Sequence, residues 1–149
     1  MKRALRWFSF LALAVLALAL WATFTTPGHL YRSSGVFAGC PARPSCVSSM
    51  ASDDIHQVPA LRYAGDAHAA FVLLREVVER IGGRIEHEQP GYLHAVFVTP
   101  RMRYRDDLEL LVQPDGRIEV RSLSRFGYRD FGVNRRRVEE LRRQFEAQP

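Results

Sequence analysis

The segment from residue 121 to residue 137, RSLSRFGYRDFGVNRRR, concentrates side chains that can bind a negatively charged group. Arginine guanidinium groups bind carboxylates and phosphates through paired hydrogen bonds, and serine and asparagine side chains add further donors. The candidate ligand-binding residues are Ser122, Ser124, Arg125, Asn134, Arg135 and Arg137. This composition is typical of an anion site, and it is equally typical of an internal network of ion pairs.

The start of the last predicted helix breaks a rule of helix composition. Asn134 is a good N-terminal cap, whereas Arg135, Arg136 and Arg137 fill the first turn. A helix N-terminus carries partial positive charge, so each cation there costs about 0.3–1 kcal/mol. Because free backbone N–H groups surrounded by arginines are suited to bind an anion, the sequence indicates an anion site at this helix start.

A purely structural interpretation of the same arginines stays open. Acidic residues near the segment could pair with them and fix the last loop to the sheet, since ion-pair networks also occur where there is no function. The candidate members of this structural network are Asp106, Asp107, Arg121 and Asp130. Asp106 and Asp107 are adjacent in a predicted strand and should point to opposite faces, which disfavours a shared acid/base role.

Turn residues and periodicity predict the elements that position this segment. A helix begins after the cap Asp66 and ends before Gly82 and Gly83, with its apolar face at Ala70, Leu74, Val77 and Ile81. Two hairpins follow, with strands at residues 84–88, 92–99, 106–113 and 117–124. A last helix begins near Asn134. The order predicts the α+β class: a two-layer domain with a four-stranded antiparallel sheet of two hairpins, flanked by two helices.

The alternation of apolar and charged residues predicts the register of both hairpins. In the second hairpin, a three-residue loop at 114–116 makes one face apolar and gives the other an opposite-charge pair. Its predicted pairs are Val112–Ile118, Leu110–Val120, Glu109–Arg121, Leu108–Ser122 and Asp106–Ser124. In the first hairpin the predicted pairs are Ile85–Ala95, Glu86–His94 and His87–Leu93.

The N-terminus has the layout of an export signal. Lys2, Arg3 and Arg6 precede an apolar run of 18 residues, from Trp7 to Phe24. Two interpretations stay open. An uncleaved signal anchor would make a single-pass inner-membrane protein with its C-terminal domain in the periplasm, and a cleaved signal peptide would leave a secreted or periplasmic domain. The predicted divisions are a signal anchor or signal peptide at 1–24, a tether at 25–39 and an exported domain at 40–149.

The two cysteines and the net charge limit the ligands and partners that we expect for an exported domain. Cys40 and Cys46 are predicted to form a disulfide, because exported proteins meet an oxidising compartment. No histidine or cysteine spacing matches a metal site, so neither a metal nor a cofactor is predicted. The formal charge of +5 points to anionic lipid headgroups or small anions, since an exported domain does not ordinarily meet nucleic acid.

Three motifs in a fixed order resemble a known family. CPARPSCVSS at 40–49, DDLE at 106–109 and VRSLSRFGYRDFGVNR at 120–135 resemble the domain-of-unknown-function family 1499, which has an asparagine where Ser45 stands here. The resemblance implies a domain of bacteria and plastid-bearing lineages, often behind an N-terminal membrane segment. It implies no activity.

These observations lead to three functional hypotheses. The first is a membrane-tethered envelope domain that binds an anionic group or lipid headgroup at the start of the last helix. The second is a structural or interaction subunit of an envelope assembly, with its contact surface at Arg101–Arg105 and at the aromatic residues Phe126, Tyr128 and Phe131. The third is an enzyme acting through Asp106 and the serines, although the sequence contains no complete catalytic motif.

Overall fold

The computed structural model of the chain describes residues 2–24, 28, 30–31, 35–100 and 103–147. The helices are α1 (Lys2–Phe24), α2 (Ala67–Arg80) and α3 (Val133–Glu146). The strands are β1 (Cys46–Ser48), β2 (Leu61–Arg62), β3 (Arg84–Gln89), β4 (Tyr92–Val98), β5 (Arg105–Val112) and β6 (Arg117–Ser124). The α+β class is confirmed.

The strands form one antiparallel sheet in the order β1-β6-β5-β4-β3, and β2 also pairs with β6. The prediction of four strands was therefore too low. β1 and β2 are three and two residues long, which is too short for an alternating pattern to be read from the sequence. Both strands extend the sheet along the outer edge of β6.

The register of the second hairpin is as predicted, and that of the first is as predicted only at Ile85, which pairs with Ala95. All five predicted pairs between β5 and β6 are present, including Glu109 opposite Arg121. Between β3 and β4 the pairing shifts at a bulge after Ile85, so that His87 lies opposite His94. The loop has only two residues, and the bulge accommodates the extra residue of β3.

The two domain helices begin in different ways. Asp66 caps α2 as predicted, because its carboxylate accepts a hydrogen bond of 2.8 Å from Ala69 N. The prediction that Asn134 caps the last helix was wrong. α3 begins at Val133, and Gly132 occupies the cap position with a left-handed backbone (φ 77°). Asn134 lies one residue inside the helix, and its side chain is buried.

The hydrophobic core lies between one face of the sheet and the helices α2 and α3. The strand residues that point into it are Leu93, Ala95, Phe97, Leu108, Leu110, Ile118 and Val120. From α2 come Ala70, Leu74 and Val77, as predicted, and from α3 come Val138, Leu141 and Phe145. This face becomes polar only at one end, where β6 reaches Ser122 and Ser124.

The N-terminal helix α1 exposes its large apolar side chains from Trp7 to Trp21. Within the part of the chain that the structure describes, no helix has both the length and the apolar character that crossing a membrane requires. The predicted tether at 25–39 lies partly outside the described residues.

Candidate functional site

A network of buried polar side chains occupies the end of the core face where β6 meets α3. Ser122 Oγ donates a hydrogen bond of 2.6 Å to Asn134 Oδ1. Asn134 Nδ2 donates to Ser124 Oγ at 2.9 Å and to the carbonyl of Ser45 at 3.1 Å. The amide of Asn134 therefore joins α3 to the ends of both β1 and β6.

Arg137, one turn further along α3, completes this network. Its Nη2 donates to Asp106 Oδ2 at 2.6 Å, and its Nη1 donates to Asn134 Oδ1 at 2.5 Å. The guanidinium also lies 4.5 Å over the ring of Phe97, which adds a cation–π contact. We call this network the polar corner; its members are Asp106, Ser122, Ser124, Asn134 and Arg137.

The helix start that was predicted to bind an anion is occupied by a carboxylate of the chain itself. Asp130 Oδ1 accepts a hydrogen bond from Gly132 N at 3.0 Å, and Asp130 Oδ2 accepts one from Asn134 N at 2.8 Å. Arg135 extends away from this point and donates to the carbonyls of Ile55 and Gln57, both at 2.9 Å. Arg135 therefore binds the loop that contains Ile55 and Gln57 rather than the helix N-terminus.

The opposite face of the sheet carries buried charged residues that the sequence analysis only partly recognised. Glu109 Oε2 accepts from Arg121 Nη1 at 2.5 Å, as the predicted pairing required. Glu109 Oε1 also accepts from Tyr92 Oη at 3.0 Å and from Tyr31 N at 2.7 Å. Burial, reinforced by the negative charge of Glu109, raises the pKa of Tyr92 above its usual range.

Asp107 is the second acid of this face, and it was predicted only as a member of a structural network. Its carboxylate accepts from Arg125 Nη2 at 2.8 Å and from Arg125 Nε at 2.9 Å, and His94 Nε2 lies 2.7 Å from its Oδ1. Burial alone would raise the pKa of Asp107, but the hydrogen bonds from His94 and Arg125 outweigh it and lower that pKa. Arg125, predicted as a ligand residue, is thus paired with Asp107. We call this set the charged face; its members are Tyr92, His94, Asp107, Glu109, Arg121 and Arg125.

A segment before β1 covers the charged face. We call Tyr31 together with residues 35–45 the strap. The ring of Tyr31 lies 4.7 Å from that of Tyr92, and Phe37 is buried beside them. The predicted disulfide between Cys40 and Cys46 is present and joins the strap to β1.

A cleft of about 560 Å³ opens beside the polar corner, between the β4–β5 connection and the loop that leads into α3. Its lining is largely apolar and aromatic, with Asp106 and Ser124 of the polar corner also on its wall. The lining residues are Thr99, Pro100, Tyr104, Asp106, Ser124, Phe126, Arg129, Asp130, Phe131 and Val133. Arg129 is exposed and has no hydrogen-bond or ion-pair partner among the described residues.

The rim of the cleft is formed by residues 126–131, which we call the aromatic loop. Phe126, Tyr128 and Phe131 are 54%, 70% and 85% exposed. Phe131 also has a left-handed backbone (φ 54°), which costs a non-glycine residue about 1–2 kcal/mol. An exposed ring held at a strained position suggests that the ring serves something other than packing.

The structure separates the residues that the sequence analysis grouped into one site. Ser122, Ser124, Asn134 and Arg137 lie together in the polar corner, whereas Arg125 is on the charged face and Arg135 binds a distant loop. Asp106 is buried, but its carboxylate is paired with Arg137, and the sheet separates it from His94. Across the described residues, no group of three histidine, cysteine or acidic side chains is placed to hold a metal ion.

The sequence contains a local signal for the charged face that the prediction did not include. Tyr92 and His94 alternate with the core residues Leu93 and Ala95, so they had to lie on the same face as Asp107. Arg129 carries no such signal, because nothing in the sequence distinguishes it from the arginines around it. Its position in the cleft becomes visible only in three dimensions.

A model of a known protein family matches residues 37–145, which include most of the strap, both polar networks and the cleft. The chain belongs to this family, described as Protein of unknown function (DUF1499). The resemblance carried by the three sequence motifs is therefore confirmed. No curated protein and no solved structure matches the chain. The DUF1499 match ends at Phe145, the last buried residue of α3.

Proposed function

We propose that the chain is an exported binding module whose cleft holds an amphiphilic molecule with an anionic group. The observation that carries this proposal is the position of Arg129 at the edge of an aromatic-lined cleft, where its guanidinium has no partner within the described ranges of the chain. A ligand pocket typically combines apolar walls with a few charged or hydrogen-bonding groups that orient the ligand. Here the rings of Tyr104, Phe126 and Phe131 would contact an apolar body, and Arg129 would pair with its anionic group.

The polar end of the cleft is compatible with an anionic ligand. A free carboxylate at Asp106 would repel one, but Arg137 lies 2.6 Å from that carboxylate and balances its charge. Ser124 Oγ accepts from Asn134 Nδ2, which leaves the hydroxyl proton available to a ligand. Of the residues first expected to bind an anion, Ser124 thus keeps a direct role in the proposal, whereas Arg129 takes the role expected of Arg135 and Arg137.

Export is part of this proposal and is supported by two features. The basic N-terminus followed by an apolar run has the layout of an export signal. The disulfide between Cys40 and Cys46 suits an oxidising compartment outside the cytoplasm. Such a domain would meet anionic lipids and other amphiphiles of the envelope.

The experiment that tests the proposal is native mass spectrometry of the full-length protein extracted from membranes. We expect an adduct with the mass of an anionic amphiphile on the wild type, and its loss in Arg129→Glu. The matched control is Arg62→Glu, which reverses an exposed arginine at the far end of β6 and should leave the adduct in place. A wild type without an adduct, or an adduct retained by Arg129→Glu, would refute the proposal.

The interaction-subunit hypothesis keeps one supporting observation, which is the exposure of three rings in the aromatic loop. Its other predicted surface, Arg101–Arg105, lies partly outside the described residues. Arg105 itself is half-buried, with its guanidinium 3.8 Å from Glu86. A photocrosslinker placed at Tyr128 should capture a second protein if this hypothesis is correct.

A further inference from the structure

The aromatic loop presents apolar surface that the chain does not use for its own folding. Its three rings are more than half exposed, although the domain has a large hydrophobic core and a second, small hydrophobic cluster elsewhere. Tyrosine is favoured at the boundary between water and lipid, because its ring is apolar and its hydroxyl is polar. Exposed phenylalanine rings of membrane-surface segments enter the boundary between headgroups and acyl chains. The composition and exposure of the loop therefore match a surface that enters a membrane interface.

The loop is also held in a fixed shape. Arg43 donates to the carbonyl of Gly127 at 3.1 Å, and Arg136 donates to the carbonyl of Phe131 at 3.0 Å. Asp130 caps the backbone at the other end of the loop. Because these bonds fix the backbone while the rings stay exposed, binding would cost little loss of conformational freedom.

The charges around the rings are positive. Arg129 and Arg103 are exposed, and their guanidinium groups have no hydrogen-bond or ion-pair partner in the described part of the chain. Arg103 precedes Tyr104, whose ring lies 5.5 Å from that of Phe126, so it belongs to the same end of the molecule. The acid of the loop, Asp130, is engaged by backbone N–H groups. Arginines beside exposed rings are complementary to a surface of anionic lipid.

We propose that the aromatic loop docks on the surface of an anionic lipid bilayer, with its rings in the headgroup region and Arg103 and Arg129 against the phosphates. A second copy of the chain is a poorer occupant, because a symmetric contact would bring the same arginines face to face. This docking does not depend on a ligand in the cleft, so either proposal can fail without the other.

The test uses the full-length chain on lipid vesicles and a spectroscopic label on the loop. Since α1 exposes apolar side chains of its own, overall vesicle binding would not report on the loop. A nitroxide is attached through Tyr128→Cys; because Cys40 and Cys46 are joined to each other, the new thiol is the only reactive one. Vesicles of phosphatidylcholine alone are compared with vesicles made of equal parts of phosphatidylcholine and phosphatidylglycerol. A second label through Ala64→Cys, an exposed position near the Gly116 turn, is the control.

On anionic vesicles we expect the label at position 128 to become accessible to oxygen and to lose access to a water-soluble nickel complex. The label at position 64 should stay in water. Arg103→Glu should abolish the shift without touching the cleft, whose lining does not include Arg103. Phe131→Gly should weaken the shift of the label at position 128. The unfolding midpoint of this variant should stay unchanged or rise, because glycine tolerates the left-handed backbone.

Three outcomes would overturn the docking proposal. The first is a label at position 128 that stays in water on anionic vesicles, and the second is an equal shift on neutral ones. The third is a label that becomes protected at high protein concentration without lipid, which would identify a second copy as the occupant. A lower unfolding midpoint in Phe131→Gly would show instead that the ring serves folding.

Discussion

Two adjacent residues, Asp106 and Asp107, lead to two different polar networks on the two faces of the sheet. Asp106 points to the helices and pairs with Arg137 in the polar corner. Asp107 points to the strap and pairs with Arg125 and His94 on the charged face. Both carboxylates are buried and each has an arginine partner, yet only Asp106 borders a cleft that opens to solvent.

The two networks differ in whether a ligand from solvent can reach them. The charged face is closed by the strap, and its members bind one another or the strap itself, as Tyr31 N does with Glu109. The polar corner also satisfies its members internally, but Ser124 and Asp106 line the cleft as well. The proposed ligand site therefore lies beside the polar corner, whereas the contacts of the charged face join the strap to the sheet.

The largest effect should follow from breaking the charged face. Glu109→Gln leaves Arg121 buried without its counter-charge, which should lower the free energy of unfolding by about 3–5 kcal/mol. Chemical unfolding followed by circular dichroism measures the loss. The control Glu139→Gln removes an exposed partner of Arg142 and should cost about 0.5 kcal/mol or less. Equal losses for the two variants would contradict the importance of the charged face.

A smaller effect is expected from the polar corner. Asn134→Ala removes hydrogen bonds to Ser122, Ser124 and the carbonyl of Ser45, but it leaves Arg137 paired with Asp106. Arg137 and Asp130 each lose a hydrogen bond to the amide as well, but Arg137 Nη1 keeps Ser122 Oγ and Asp130 keeps its two backbone N–H donors. Because no charge is left without a partner, the free energy of unfolding should fall by about 1–3 kcal/mol. The same unfolding assay measures it. A loss as large as that of Glu109→Gln would reverse the ranking of the two faces.

The smallest effect is the part of the stability from Asp107 that changes with pH. Because the pKa of Asp107 is lower in the folded protein than in the unfolded chain, its ionised form stabilises the fold. That contribution is complete above the ordinary aspartate range, at about pH 4, and is lost as the pH falls through the lowered pKa. Asp107→Asn should therefore be less stable at neutral pH and lose less further stability on acidification. Parallel acid profiles of wild type and variant would contradict this prediction.

Much of the fold could be predicted because its signals are local. The Asp66 cap, the disulfide and the register of the second hairpin follow from side-chain type and alternation alone. The short strands β1 and β2, and the bulge after Ile85, depend on contacts between distant segments. A pattern of two or three residues cannot encode such contacts, so the four-stranded prediction fell short.

The candidate site was predicted less well than the fold. The arginines of segment 121–137 look alike in sequence, although they have different surroundings in the structure. Arg137 pairs with Asp106, Arg135 binds loop carbonyls, and Arg129 has no partner among the residues that the structure describes. Which partner each arginine meets is decided by the position of the loop relative to the sheet.

The central strand β5 has a consequence for how the chain finds its pairing during folding. Its apolar residues Leu108 and Leu110 alternate with Asp107 and Glu109, and both sets are buried. A slip of one residue would turn the two acids into the hydrocarbon core and the leucines against Arg121 and Arg125. A folding intermediate in which β5 is shifted by one residue is therefore destabilised on both faces of the sheet. We expect insertions to be tolerated in the exposed turn at 114–115 and rejected anywhere within β5.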